Sequence, residues 1–173
     1  MGLILLRHTT PDVPPGTCYG RRDVPLCPGF AQEAEAVLAS LPDVSRIVTS
    51  PATRCRRLAA RAGTRKEVKV SVDFRLAEMD FGAWEGRPWA SVPQAELDAW
   101  ARDFFTARPH GGESVASLIG RTRQVLAAYH EERVLAVTHA GIMRAARYVL
   151  GDPDPWHTPI AFGACLDVGA FSA

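Results

Sequence analysis

Three short runs constrain this chain more than any other feature. Leu3-Ile4-Leu5-Leu6, Arg46-Ile47-Val48-Thr49 and Val134-Leu135-Ala136-Val137 are apolar through their centres, without the alternation of a half-exposed strand. Such runs read as strands buried on both faces. Stretches of helical spacing lie between them, and strands alternating with helices imply a mostly parallel sheet covered on both sides. The expected fold class is therefore α/β, a three-layer α/β/α sandwich around a mostly parallel central sheet. A single domain over residues 1–173 is expected, since 173 residues with 47% hydrophobic side chains suffice for one full core.

The elements follow from local pattern. Phe30, Ala34, Val37, Leu38 and Leu41 share one helical face. Ser50-Pro51 opens a helix running to about Ala62, with proline at an early position where its missing N–H costs little. Val68, Val70 and Val72 alternate as a third strand. Helices are expected over about 94–105, from a cap at Glu113 or Ser114 to about Tyr129, and from Gly141 to Leu150, where Gly151-Asp152-Pro153 ends it. A final strand is expected between Ile160 and Phe171. Thr9 to Pro28 reads as a long irregular loop rich in proline and glycine, and such loops usually carry function.

Charge excludes some partners. Lys plus Arg number 20 against 19 for Asp plus Glu, so no global field draws the chain to nucleic acid or an anionic membrane. The N-terminal apolar run is too short for a signal peptide core or a membrane span. Cys18, Cys27, Cys55 and Cys165 show no Cys-x-x-Cys spacing, which argues against a zinc ribbon and for free, buried thiols in a cytoplasmic setting.

Chemistry gathers where the strands stop. The first run ends in Arg7-His8-Thr9, the second in Thr49-Ser50-Pro51 with Arg54 one turn on, and the run from Val134 ends in Thr138-His139-Ala140-Gly141. Ligands of open α/β sheets bind beyond the carboxyl ends of the strands. Neighbouring placement of these strands would bring Arg7, His8, Arg54 and His139 to one crevice. Two guanidinium forks suit a phosphoryl group, and a helix opening at Ala140 adds N–H donors. A neutral imidazole there can attack phosphorus. A leaving alkoxide needs a proton, for which Glu78 is the best candidate, with Asp80 and Glu85 as rivals. His8, His139 and Glu78 could instead form a metal triad, but the adjacent arginines would repel a cation.

These residues fall into motifs. Arg7-His8-Thr9, Ser50-Pro51-Ala52-Thr53-Arg54, Glu78-Met79-Asp80-Phe81-Gly82-Ala83-Trp84-Glu85-Gly86, Gly112-Glu113-Ser114 and Val137-Thr138-His139-Ala140-Gly141 follow one another in order. In this order they resemble the histidine phosphatase superfamily, the phosphoglycerate mutase-like family. The resemblance implies His8 as the phosphorylated nucleophile, Arg7, Arg54 and His139 as the phosphate pocket, Glu78 as proton donor, and no metal or organic cofactor. Tyr19 and Ala140 are further candidate substrate contacts. Thr9 departs from the family's usual glycine, and Tyr19 stands where many relatives carry glutamine. The segment Gly16-Thr17-Cys18-Tyr19-Gly20-Arg21-Arg22-Asp23-Val24-Pro25-Leu26 resembles the α-ribazole phosphatase-like branch, which removes the 5′-phosphate from α-ribazole phosphate during assembly of the lower ligand of cobalamin.

The leading expectation is a metal-independent phosphomonoesterase acting through phosphohistidine on α-ribazole 5′-phosphate or another small phosphomonoester. Its partner is that small molecule, with neither nucleic acid nor membrane, and a homodimer is admissible. A phosphoglycerate mutase-type transfer and a non-catalytic phosphate- or nucleotide-binding module are the alternatives. His110, His130, His157, Arg21, Arg22 and Arg87 read as bystanders or solvated charge, and Trp84 and Trp89 as packing.

Overall fold

The computed structural model describes residues 2–130 and 133–171. Strands β1 (Leu3–Arg7), β2 (Arg46–Thr49), β3 (Val70–Val72), β4 (Val134–Thr138) and β5 (Cys165–Asp167) form one sheet in the order β3-β2-β4-β1-β5. The first four pair in parallel, and β5 runs antiparallel to β1. Helices α1 (Phe30–Ala39), α2 (Thr53–Lys66), α3 (Gln94–Arg102), α4 (Val115–Ala128) and α5 (Ala140–Val149) complete the described elements, with short 3-10 turns between β3 and α3 and another at Val168–Phe171. The mostly parallel α/β sheet expected from the buried runs is present.

The two apolar layers explain why those runs do not alternate. Leu3 and Leu5 of β1, with Val134 and Ala136 of β4, face one core with Leu118 of α4 and Ile142 of α5. Ile4 and Leu6, with Leu135 and Val137, face a second core with Leu38 of α1 and Leu58 of α2. Successive strand side chains point to opposite faces, so a strand covered on both must be apolar throughout. Each such Leu or Ile contributes about 1.5–3 kcal/mol by burial. β3 lies at the edge and is exposed along its length, with Val70 and Val72 partly in solvent.

Several boundaries differ from the sequence expectation for identifiable reasons. Helix α2 begins at Thr53 rather than Ser50-Pro51, because the Ser50 hydroxyl is held by His139 and by the Ala52 N–H. The helix takes its cap from elsewhere: Asp23 accepts hydrogen bonds from the Thr53 N–H and hydroxyl at 3.0 and 2.5 Å. It runs past Ala62 to Lys66 because Gly63 packs against Val70, and it stops at Glu67 in the left-handed region. Val68 gives its N–H to the end of that helix rather than to a strand. The third helix ends at Arg102, and the Asp103 carboxylate gathers Thr106 in a following turn. Ser114, not Glu113, caps α4, accepting from the Ser117 N–H at 3.1 Å. Cys18 and Cys55 are buried as expected, but Cys165 lies exposed on β5 and Cys27 is half-buried.

The segment after β3 carries a small aromatic core of its own. Trp84 is fully buried, donates its indole N–H to Glu96 at 2.6 Å, and packs edge-on against Trp89, Trp100 and His110. Cys18 joins this cluster and ties its backbone to Gly86 and Arg87. The loop from Thr9 to Pro28 is thereby held to the Trp84 segment. No helix among the described residues is long and apolar enough to cross a membrane.

Candidate active site

The sheet order makes β2, β4 and β1 central neighbours, so their carboxyl ends lie side by side. Arg7 pairs with Thr138 in register, which puts His8 and His139 just past the same sheet edge. Their rings lie 5.2 Å apart, centroid to centroid. Both are buried. His8 Nδ1 lies 2.7 Å from the Thr9 carbonyl oxygen, and a carbonyl only accepts, so Nδ1 carries the proton. Nε2 then keeps its lone pair, to which Arg54 Nε donates at 3.3 Å. Arg54 is wholly buried on α2, and its remaining nitrogens hold the carbonyls of Gly20 and Arg22 at 2.8 and 3.0 Å. It also faces His139 Nδ1 at 3.3 Å, while His139 Nε2 meets the Ser50 hydroxyl at 2.7 Å.

Burial and the neighbouring guanidinium groups act together on these imidazoles. Desolvation, then Arg54, with Arg7 adding, pull His8 down to about 3. Burial first and Arg54 next pull His139 well below the ordinary histidine value. Both rings are neutral near pH 7, as a nitrogen nucleophile requires.

Arg7 reaches the crevice from the other side. It donates to the Ile160 carbonyl, and its guanidinium carbon lies 3.8 Å over the Phe162 ring. Phe162 also lies 5.6 Å from His8, so it forms a rim over both. Tyr19 stands 6.4 Å from His8 and 5.1 Å from the Arg54 guanidinium carbon. Burial raises its hydroxyl above the ordinary tyrosine value. Thr9 is buried, and its hydroxyl makes no hydrogen bond among the described residues. Its part in the geometry is the carbonyl that orients His8.

The three candidate carboxylates occupy different places. Glu78 Oε2 accepts from the Gly141 N–H at 3.1 Å, at the opening turn of α5, and Oε1 accepts from the Met79 N–H. A Cβ on Gly141 would lie 2.0 Å from Glu78 Oε1, so only glycine permits this approach. Asp80 is folded into a turn, accepting from the Gly82 N–H. Glu85 accepts from the N–H groups of Arg21, Arg22 and Phe81 at 2.9, 2.8 and 3.0 Å. It knits the long loop to the segment after Glu78. Of the three, Glu78 alone lines the crevice: it borders a cavity of about 520 Å³ shared with Arg54 and His139, and one of about 540 Å³ shared with Arg7, Tyr19 and Ala140.

Arg121 of α4 belongs to none of the sequence motifs. It donates to the carbonyls of Arg75 and Glu78 at 2.6 and 3.1 Å and grips Glu113 with two nitrogens at 2.7 and 2.9 Å. Glu113, expected at a helix start, is its counter-ion, joined by Arg21 at 3.4 Å. Thr138 adds a hydroxyl bond to the Leu76 carbonyl at 2.8 Å. Together they fix the backbone that presents Glu78. Arg22, expected as solvated charge, holds Arg54 through its carbonyl. His110 is no bystander to the fold, since its Nδ1 accepts from the Gly112 N–H within the aromatic core.

Comparison with known proteins decides the family. The model of the histidine phosphatase superfamily (branch 1) matches residues 3–163. The chain belongs to the histidine phosphatase superfamily. This histidine phosphatase chain is 31% identical over 148 residues to a bifunctional protein of Mycobacterium tuberculosis, covering 79% of the chain and 40% of that protein. It thus spans well under half the length of that relative. It is 32% identical over 162 residues to a glucosyl-3-phosphoglycerate phosphatase of the same organism, covering 83% of the chain and 72% of the relative. The adenosylcobalamin/alpha-ribazole phosphatase of Escherichia coli is 27% identical over 154 residues, covering 83% of the chain and 75% of the relative. The crystal structure of the alpha-ribazole phosphatase from Shigella flexneri superposes with a TM-score of 0.81 over 95% of this chain and 88% of that one, at 24% identity, and so shares the fold.

Proposed function

We propose that the chain is a metal-independent phosphomonoesterase that passes the phosphoryl group through His8. The observation that carries this reading is the tautomer of His8, with Nδ1–H tied to the Thr9 carbonyl and the Nε2 lone pair turned to Arg54. In the first step Nε2 attacks phosphorus, the ester P–O bond breaks, and Glu78 gives its proton to the departing oxygen. Arg7 and Arg54 offset the charge on the equatorial oxygens. His139 orients Arg54 through its Nδ1. In the second step the Glu78 carboxylate takes a proton from water, the hydroxyl attacks phosphorus, and the N–P bond breaks. Inorganic phosphate leaves, with His8 neutral and Glu78 protonated again.

Two substrates compete. α-Ribazole 5′-phosphate is supported by the pattern of residues 16–26, by the E. coli relative, and by the tryptophan-rich wall of the cavity beside Arg7. A phosphorylated glycerate is supported by the greater identity to the glucosyl-3-phosphoglycerate phosphatases and by Arg144, which lines the same cavity.

The test is hydrolysis of p-nitrophenyl phosphate in EDTA by the wild type and by His8→Ala, with phosphohistidine trapped by alkaline quench. The wild type should turn over and label at His8, and the variant should lose about 10³-fold or more in kcat. Activity that survives His8→Ala, or that EDTA abolishes, would sink the reading. Turnover of α-ribazole 5′-phosphate against glucosyl-3-phosphoglycerate then separates the substrates.

A further inference from the structure

The ring of His8 is oriented by a carbonyl, and that carbonyl is itself held from behind. The backbone of His8 is fixed on both sides, its N–H on the Thr138 carbonyl at 3.0 Å and its carbonyl on the Gly163 N–H at 3.2 Å. The ring is then set by the bond from Nδ1–H to the Thr9 carbonyl. That carbonyl shares one planar peptide unit with the Thr10 N–H, and in a trans unit the two point in opposite directions. The Thr10 N–H lies 3.0 and 3.1 Å from the two carboxylate oxygens of Glu33, in the first turn of α1. The Thr10 hydroxyl donates to the same carboxylate at 3.1 Å. The Thr10 carbonyl accepts from the Cys27 N–H at 3.3 Å, so the next peptide unit is tied down as well.

The order is therefore carboxylate, peptide, imidazole. Rotation of the peptide between Thr9 and Thr10 would break the bonds at both of its ends together. A carboxylate that accepts from the N–H also shifts electron density toward the carbonyl oxygen, since hydrogen bonds in series polarise one another. Bonds to a carboxylate are the stronger kind. Burial, then Arg54, and Arg7 after them, lower the basicity of His8, and the Thr9 carbonyl acts against them. A stronger acceptor for Nδ1–H leaves more electron density at Nε2.

Resting on the reading of His8 as the nucleophile, we propose that Glu33 is a positioning residue for the reaction. Through the Thr9–Thr10 peptide it holds His8 in the Nδ1–H form, with Nε2 presented to phosphorus. It stands as the carboxylate stands behind the imidazole of a Ser-His-Asp triad, with a peptide group interposed. Glu33 borders neither cavity beside the crevice, so its effect belongs to kcat and not to KM.

The experiment replaces Glu33 by methionine, which keeps a long side chain of good helical preference and removes the acceptor. Glu35→Met, on the same helix but paired at the surface with Arg61 and Arg65, reports any loosening of α1. On p-nitrophenyl phosphate, Glu33→Met should lose about 10-fold in kcat while KM holds to within about twofold, the low end for removing the group behind a functional histidine. Formation of phosphohistidine in a single turnover should slow in proportion. Glu33→Gln, whose amide oxygen still accepts, should regain most of the loss, and Glu35→Met should match the wild type. Unchanged kcat in Glu33→Met, an equal fall in Glu35→Met, or a loss expressed in KM overturns the proposal. The ring is read without turnover by nitrogen NMR of protein isotopically labelled at histidine. His8 should be in the Nδ1–H form in the wild type and in Glu33→Gln, and mixed with the Nε2–H form in Glu33→Met. That change supports the positioning role even if no phosphate ester is hydrolysed, an outcome that would count against the phosphatase reading alone. A His8 signal identical in the wild type and Glu33→Met overturns the role whatever the enzyme hydrolyses.

Discussion

His8 holds two demands that conflict in acid. It must be neutral to attack, and burial beside Arg54 keeps it so, with a pKa of about 3 in the folded chain against 6.5 for an ordinary histidine. Below pH 6.5 the unfolded chain takes up a proton at this position that the folded chain refuses until about pH 3. Stability therefore rises with pH across that window and is lost as the pH falls through it. The slope approaches about 1.4 kcal/mol per pH unit for one such group. His139 acts in the same direction. Urea unfolding between pH 6.5 and 4.5 should show this slope in the wild type and a shallower one in His8→Gln. Asp73, whose pKa is lowered from 3.8 despite its burial by hydrogen bonds from Arg75 and Tyr129, contributes below that range, so it does not confuse the comparison. Parallel slopes in the two proteins would show that His8 is not held neutral by the fold.

At the scale of elements, the opening turn of α5 and the segment from Leu76 to Glu78 are built for each other. The Gly141 N–H meets the Glu78 carboxylate, and the missing Cβ is the space that carboxylate occupies. Gly141→Ala should therefore push Glu78 aside while the helix gains slightly from alanine, by up to about 1 kcal/mol. Alkyl phosphate hydrolysis should fall by about 10²-fold. Hydrolysis of p-nitrophenyl phosphate should fall less, because its leaving group departs without a proton. Equal losses on both substrates would deny Glu78 the proton-donor role. The same segment shows why element boundaries drifted from the sequence reading. Asp23, thirty residues earlier in the chain, caps α2, and Ser50 is diverted to His139. Neither partner is local, so neither left a capping signature next to the helix.

For the whole molecule, folding concentrates positive charge at one sheet edge, where the Glu78 carboxylate borders the crevice. Arg7, Arg54 and the start of α5 converge there, and Arg54 is buried with two carbonyls and two imidazoles, and among the described residues no carboxylate lies within bonding distance of it. Inorganic phosphate should therefore bind the folded chain and stabilise it. At a concentration one hundred times its Kd the gain is about 2.7 kcal/mol, visible as a rise in Tm. Arg54→Met should abolish that rise while leaving a folded protein, since methionine fills similar space and removes a buried charge. A phosphate-dependent rise that persists in Arg54→Met would place the anion elsewhere.

The amino-acid sequence by itself determined which runs are central strands and which residues follow them. Both depend on neighbours in the chain: two-faced burial leaves no polar position within β1 or β4, and the residue after a strand must emerge at its end. Arg7, His8 and His139 were legible for that reason, and Arg54 because it lies one turn into the helix after β2. The tertiary structure decided what depends on partners distant in sequence. Three carboxylates within eight residues look alike on paper, and packing assigned Asp80 to a turn, Glu85 to the long loop and Glu78 to the crevice. Arg121, which grips the Glu78 segment from α4, and Arg144, which lines the cavity beside Arg7, had no motif to mark them. An arginine on a helix reads as solvated charge until the fold shows what lies across from it.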